Sequence, residues 1–267
     1  MDEPPPRDLT DARSWDAIWR RAGGGTEGAR SALRARLPWV RALDTVLGEL
    51  LDRAAPRGAG GIDVLELGCA PGAMLERMHR LRPQHRYQGL DIAADGLAVA
   101  AGRLRRAGIS ARLAQGDLRT ADPGAGVDLV VSFGLIEHFS DPAEVVAGHA
   151  RFARPGGAVA ITVPNYAHPA VAWLLARVSP ETLTTHNLEV MSPTALARAL
   201  SAAGLVAVEA GTTMGPVLPS SRPRPGPLGA AYGAGARLWN LVAPSIPGAG
   251  LVLWDGLIWA AGRRPAG

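Results

Sequence analysis

Three acidic residues and two histidines carry most of the chemistry that this sequence offers. Glu66 stands in an apolar run, Val64-Leu65-Glu66-Leu67, just before a glycine turn, Gly68-Cys69-Ala70-Pro71-Gly72. Asp91 ends a second apolar run in Gly89-Leu90-Asp91-Ile92, and Asp117 stands in Gln115-Gly116-Asp117-Leu118. An ionised carboxylate only accepts hydrogen bonds, so a row of them disfavours a polyanion and suits a cation, an amine or a diol. The glycine turn lets the main chain approach a ligand closely. It is not a dinucleotide fingerprint, because G-x-G-x-x-G from Gly68 needs glycine at 70 and 73, and both are alanine. His138 follows Glu137, and His186 stands in Thr184-Thr185-His186-Asn187-Leu188. An imidazole titrating near neutral pH can take a proton from a hydroxyl. Equally, His138 can orient a site by hydrogen bonding, and His186 can be an exposed loop or packing histidine. His79, His85 and His149 read as surface groups.

The elements that must hold these groups alternate in type. Apolar runs predict strands at 63–67, 87–90, 111–114, 128–133 and 158–163, with helices at 73–81, 97–107 and 142–152 between them. The third helix has a clear start, with Asp141 as N-cap, Pro142 in the first position and Glu144 in the third. Pro155-Gly156-Gly157 closes that segment. A later helix, 193–203, follows Ser192 and stops at Gly204; strands are expected at 206–209 and 257–261. Strands alternating with helices predict a parallel sheet covered on both faces, and the unbroken Leu129-Val130-Val131 fits such burial. In a parallel sheet Glu66, Asp91 and Asp117 share one edge. Upstream, 1–12 is a loose tail, 15–21 a short helix with Trp15, Ile18 and Trp19 on one side, and 38–51 a second helix. Gly58 to Gly61 breaks the chain before the first strand. Residues 211–227 read as a loop, and 228–254 as weakly helical with Trp239 and Trp254. The expected division is 1–55, tail and helical cap, and 56–267, one α/β domain with 211–256 as a lid.

Composition narrows the classes. The chain has 267 residues, 47% of them hydrophobic and 19% charged, which excludes a disordered polyelectrolyte. All 28 basic residues are arginine, against 24 acidic ones, so the net charge is only +4. The isoelectric point of 10.1 follows from the missing lysine, since little titrates between neutrality and arginine; it does not signal nucleic acid. One cysteine excludes an intramolecular disulfide and a multi-cysteine metal site. No signal-peptide order and no run of eighteen apolar residues is present, so a cytoplasmic protein is expected. Peripheral membrane contact and oligomeric state stay open.

Five stretches, VLELGCAPG at 64–72, YQGLDI at 87–92, QGDL at 115–118, DLVVSFGLIEHFSDP at 128–142 and RPGGAVAITVPN at 154–165, resemble the class I S-adenosylmethionine-dependent methyltransferases in order and spacing. The flavour is that of the small-molecule subgroup similar to ubiquinone and natural-product enzymes. The resemblance implies a doubly wound, mostly parallel, seven-stranded Rossmann-like sheet with helices on both faces, N-terminal helices and a helical insert before the last strand. It implies S-adenosyl-L-methionine as cofactor. Glu66 and the turn with Gly68, Cys69, Ala70 and Gly72 would contact its methionine part. Asp91 would hold the ribose hydroxyls with Ile92 against adenine. Asp117 would accept from the adenine amine, Leu118 would supply main-chain contacts, and Ser132 and Phe133 would line the floor near the sulfonium. His138 would stand near that floor, and His186 beside the acceptor pocket. Ala70 departs from a frequent second glycine, which a negative φ tolerates.

The acceptor expected is a small molecule reacting through oxygen, or through nitrogen or carbon, in a natural product or quinone-like compound. The other readings are a protein- or lipid-associated methyltransferase and a non-catalytic cofactor-binding module. Nucleic-acid amino methylation is disfavoured because Ser132-Phe133-Gly134-Leu135 stands where an Asn/Asp-Pro-Pro-aromatic motif would be. Arg103, Arg105 and Arg106 read as a solvated helix face. A catechol-type magnesium site is not expected, since Val163-Pro164-Asn165 has no acidic neighbour; no metal ligand is named. Trp15, Trp19, Trp173, Leu174 and Leu175 are candidates to cover an apolar acceptor.

Overall fold

Period-two alternation decides how the strands bury. In 127–133, Leu129 and Val131 join one apolar cluster with Leu47, Leu51, Leu75 and Met78, while Val130 joins another with Val145, Val146, Leu196 and Leu200. One strand therefore feeds two cores on opposite faces of a sheet. The computed structural model describes residues 9–22, 38–55, 60–219, 223, 225–242 and 255–267. Expectations on 1–8, 58–59 and 243–254, Trp254 included, lie outside the described residues.

In chain order the elements are α1 (Ala12–Ala22), α2 (Pro38–Ala54), β1 (Asp63–Leu67), α3 (Ala73–Leu81), β2 (Arg86–Asp91), α4 (Ala94–Arg106), β3 (Arg112–Gln115) and β4 (Val127–Phe133). They continue as α5 (Pro142–Phe152), β5 (Ala153–Pro164), α6 (Pro169–Val178), α7 (Pro180–Thr184), α8 (Pro193–Ala202), β6 (Val206–Thr213), α9 (Pro227–Val242) and β7 (Leu257–Arg263). The seven-stranded sheet runs β3-β2-β1-β4-β5-β7-β6, parallel except for β7, which pairs antiparallel with β5 and β6. The doubly wound reading stands. Strand order reverses between β1 and β4, and a crevice opens there at the carboxyl ends of the strands.

Two predicted caps are present. Asp141 accepts from the Ala143 and Glu144 N–H groups, and Ser192 from Ala195 N–H, contacts that contribute about 1 kcal/mol each. Two boundaries differ. Pro155-Gly156-Gly157 does not end an element but lies inside β5, where Arg264 exchanges main-chain hydrogen bonds with Gly156 and Gly157. β6 takes the first residues of the expected 211–227 loop because β7 pairs along it as far as Thr213.

The surface reading of two histidines is corrected. His149 is fully buried, since it shares the inward face of α5 with Val145, Val146 and Phe152. His85 is buried too, its Nδ1 accepting from Ile62 N–H at 3.3 Å. Among the described residues no helix is long and apolar enough to cross a membrane.

Candidate active site

The β1 turn places main chain over the strand ends. Gly68 N–H donates to the Leu90 carbonyl at 2.8 Å. Its φ is +71°, which favours glycine, and a Cβ there would stand 2.8 Å from Leu135 Cδ1, so that side chain would have to shift. Ala70 is not among the residues with positive φ, so it fits the turn without strain. Asp91 ends β2 and is pinned from both sides: Oδ2 accepts from Ala70 N–H and Oδ1 from Ala93 N–H, each at 2.9 Å. Burial pushes its carboxyl above the usual range, and these N–H groups pull it back. Asp117 follows β3, and Arg119 holds its carboxyl below the usual range.

Asp91 and Asp117 open onto a cavity of about 280 Å³. Gly68, Ala70, Ile92, Leu118 and Phe133, all expected site residues, line it too. Ile92 is 37% exposed, an apolar surface available to a planar ring. His138 and Phe139 line the cavity as well, together with Trp15 and Trp19 of α1. A larger hollow of about 430 Å³ lies between α2 and β5–β7; its lining includes none of the sequence-named groups, and the Glu209 carboxylate there is paired with Arg53. Chemistry, not volume, selects the smaller one.

Five expected site residues are not on the cavity wall; one is His186, which packs against His138. Glu66 lies beneath the turn, 3% exposed, with Oε2 lacking a hydrogen-bond partner and its carboxyl pushed far up by burial and by the Asp91 charge. Cys69 packs inward against Gly89, where a Cβ would stand 2.5 Å from Sγ. Gly72, with φ +79°, is the residue from which α3 starts. Ser132 points away from the crevice because neighbouring strand residues face opposite sides: Phe133 takes the cavity, and Ser132 Oγ meets His149 Nε2 at 2.8 Å. Trp173 is 59% exposed beneath the Arg177 guanidinium, and Leu175 is buried in the packing of α6. α9 lies against α2 and α6, with Trp239 Nε1 donating to the Pro216 carbonyl, and does not contribute to the walls of the cavity.

The histidine end is assembled from three distant segments. Glu137 and His138 form a short 3₁₀ turn after β4. Asn187 N–H donates to the Glu137 carbonyl at 2.6 Å, which brings 185–187 alongside. Leu9 N–H donates to the His138 carbonyl at 2.8 Å and anchors the start of α1. The rings of His138 and His186 then lie 4.4 Å apart, with Trp15 edge-on to His138 at 4.9 Å and Tyr166 at 5.2 Å from His186. The His138 Nδ1–H donates to the Thr185 carbonyl at 3.1 Å, which leaves the Nε2 lone pair free. Burial, then the neighbouring His186, pushes His138 down to about 4; burial also lowers His186. Both rings are therefore neutral at pH 7. Burial pushes Glu137 up to about 8.

Glu137, His138 and His186 each offer a ligand atom within 4.8 Å of the others. The chain thus has a group able to hold a divalent ion that the sequence reading did not name. The adjacency of Glu137 and His138 was its only trace, since His186 joins from 48 residues downstream. Arg119 was also missed, although it stands two residues after Asp117.

Residues 39–210 match a family described as a methyltransferase domain. A ubiquinone biosynthesis O-methyltransferase of Sodalis glossinidius is 36% identical over 138 residues, which are 51% of this chain and 53% of that one. A protein of the same name from Thiobacillus denitrificans is 33% identical over 193 residues, 68% of this chain and 75% of that one. The match spans about half to two thirds of the length of several such curated relatives. The N-methyltransferase NodS of Bradyrhizobium japonicum, solved with S-adenosyl-L-homocysteine, has a TM-score of 0.54 at 16% identity, covering 93% of this chain and 97% of that one, a likeness of fold. With its domain matched over most of its length, the chain belongs to the methyltransferase-domain family.

Proposed function

We propose that this protein transfers a methyl group from S-adenosylmethionine to an oxygen of a small, phenol- or quinone-like acceptor. One observation carries the reading: a single cavity is lined both by carboxylates pinned at strand ends and by the neutral His138 imidazole, whose neighbour His186 packs 4.4 Å from it outside the lining. The donor set fits the cofactor. Asp91, with both oxygens in place at the end of β2, suits a ribose diol, and Ile92 and Leu118 offer apolar faces to a base. The names of the curated relatives support oxygen as the acceptor atom.

When bound, S-adenosylmethionine supplies a methyl on a positively charged sulfur, which becomes a neutral thioether as the new bond to oxygen forms. The protein's part is alignment, exclusion of water and removal of one proton. Trp15, Phe133 and Phe139 give the cavity an apolar lining suited to excluding water. Thr185 fixes both rings, through its carbonyl at His138 and its hydroxyl at His186 Nδ1, 3.1 Å away. The free Nε2 of His138 is the atom that takes the hydroxyl proton, with His186 beside it as second acceptor.

Calorimetry against S-adenosylhomocysteine and NAD, followed by a methyl-transfer screen of phenols, amines and sugars, tests this reading. S-adenosylhomocysteine binding and methylation of a phenolic hydroxyl are expected. Binding without transfer to any hydroxyl would defeat the acceptor assignment; NAD binding alone would defeat the cofactor assignment.

A further inference from the structure

Asp117 is expected to read the adenine amine, yet both of its oxygens are already engaged by Arg119. Oδ1 accepts from the main-chain N–H of Arg119 at 2.9 Å and from its Nε at 2.9 Å. Oδ2 accepts from Nε at 3.1 Å and from a terminal guanidinium nitrogen at 2.5 Å. A carboxylate has about four acceptor directions, and three N–H groups of Arg119 take up most of them, the Nε–H shared between the two oxygens.

The clasp is built by its surroundings. The Asp117 carbonyl accepts from Thr120 and Ala121 N–H, closing a turn that folds Arg119 back over Asp117. Arg151 of α5 donates to the Arg119 and Ala121 carbonyls and fixes that turn. The guanidinium lies 5.3 Å from the Phe139 ring centroid, and both side chains line the cavity. The pair is mostly shielded, at 15% and 25% side-chain exposure.

Resting on the cofactor reading above, we propose that Arg119 is a specificity-determining residue that competes with the adenine amine for Asp117. A neutral amine makes a weaker bond to a carboxylate than a forked guanidinium does. The amine gains Asp117 only when Arg119 turns aside, so apparent affinity is the intrinsic affinity reduced by the fraction of molecules with Arg119 displaced. The same guanidinium can donate to a 6-oxo group. A purine carrying a carbonyl there thus loses little where a bare carboxylate would repel it.

The test is calorimetric titration of the full chain with S-adenosylhomocysteine and with S-inosylhomocysteine, its 6-oxo analogue. In the wild type the two are expected to bind within about threefold of each other. Arg119→Met should bind S-adenosylhomocysteine about two- to fivefold more tightly, the upper part of the range for releasing one ion pair near a surface. Its preference over the 6-oxo analogue should widen by a similar factor. Arg119→Gln, which keeps a donor but not the charge or the fork, should fall between. A wild-type preference above about thirtyfold overturns the proposal without any variant. Weaker binding of S-adenosylhomocysteine by a folded Arg119→Met or Arg119→Gln also overturns it, because Arg119 would then hold the cofactor rather than compete with it. If the wild type binds neither compound, the cofactor reading fails, and this inference fails with it.

Discussion

The two ends of the cavity are built differently. At the carboxylate end, Asp91 and Asp117 follow strand ends whose parallel register brings them to one edge, and main-chain N–H groups hold them there. At the histidine end there is no such frame. His138, His186 and Trp15 come from three segments joined by a few hydrogen bonds, Leu9 to His138, Asn187 to Glu137 and Phe139, and Thr185 to both rings. The first end is set by strand register; the second is set by loop segments that hydrogen bonds bring together. Recognition of the part shared by many ligands suits the rigid end, and an acceptor that differs between enzymes suits the end that can be rebuilt by loop changes.

If the division of labour is sound, substitutions at the two ends should affect different quantities. The largest effect is expected from His138→Ala with His186→Ala. Turnover of a hydroxyl acceptor should fall about 10²- to 10⁴-fold, while the dissociation constant for S-adenosylhomocysteine stays within about threefold. Near-wild-type turnover in the double variant would remove the histidines from the chemistry. Asp91→Asn tests the opposite end. It keeps the shape and removes the charge, and calorimetry should show S-adenosylhomocysteine bound about 10- to 100-fold more weakly, as for loss of hydrogen bonds to a charged group. An unchanged affinity would place the ribose elsewhere.

The same difference explains what the sequence made legible. Continuous apolar runs between helical stretches located every strand from β1 to β5, and Asp141 and Ser192 marked two helix starts, because these are local signals. Asp91 and Asp117 were readable because strand ends in a parallel sheet meet without further information. Ser132 was misassigned because its place in the motif was known but its parity was not; one residue of offset turns it from the cavity to the core. His149 was misjudged for a related reason: polar type suggested surface, whereas its spacing from Val145 and Phe152 put it inside. The meeting of His138 with His186, and the clasp of Arg119 on Asp117, depend on long-range or rotameric choices that no local pattern encodes.

One element touches both ends and can blur the comparison. Asp16 Oδ1 accepts from Asp95 N–H at 3.0 Å, and Trp19 of α1 fills a notch at Gly96. A Cβ at Gly96 would stand 2.6 Å from Trp19 Cδ1 and 2.7 Å from Ala70 Cβ. Gly96→Ala should therefore loosen α1 from α4 at the low end of the about 1–3 kcal/mol typical of overpacking, because the indole can shift. The expected result is a parallel loss of about five- to tenfold in S-adenosylhomocysteine affinity and in turnover, with altered tryptophan emission. A change in one quantity alone would assign α1 to one end.

The smallest effect concerns the wall between the ends. Behind Phe133, the His149 Nδ1–H donates to the Val145 carbonyl at 2.7 Å, since a carbonyl can only accept; Nε2 must then accept from the Ser132 hydroxyl. The buried ring is held neutral, and burial pushes it down to about 4. In the unfolded chain the same ring titrates near 6.5, so the unfolded state binds more protons between those values. Stability from this group is complete above about pH 6.5 and falls as pH drops toward 4. Between pH 8 and pH 6 the loss from His149 alone is only about 1 kcal/mol, growing below that. Melting midpoints across this range should show the slope in the wild type and a shallower one in His149→Gln, which keeps hydrogen-bonding atoms without the titration. Equal slopes would mean that the end of β4 is insensitive to His149, and that acid acts on the cavity through other groups.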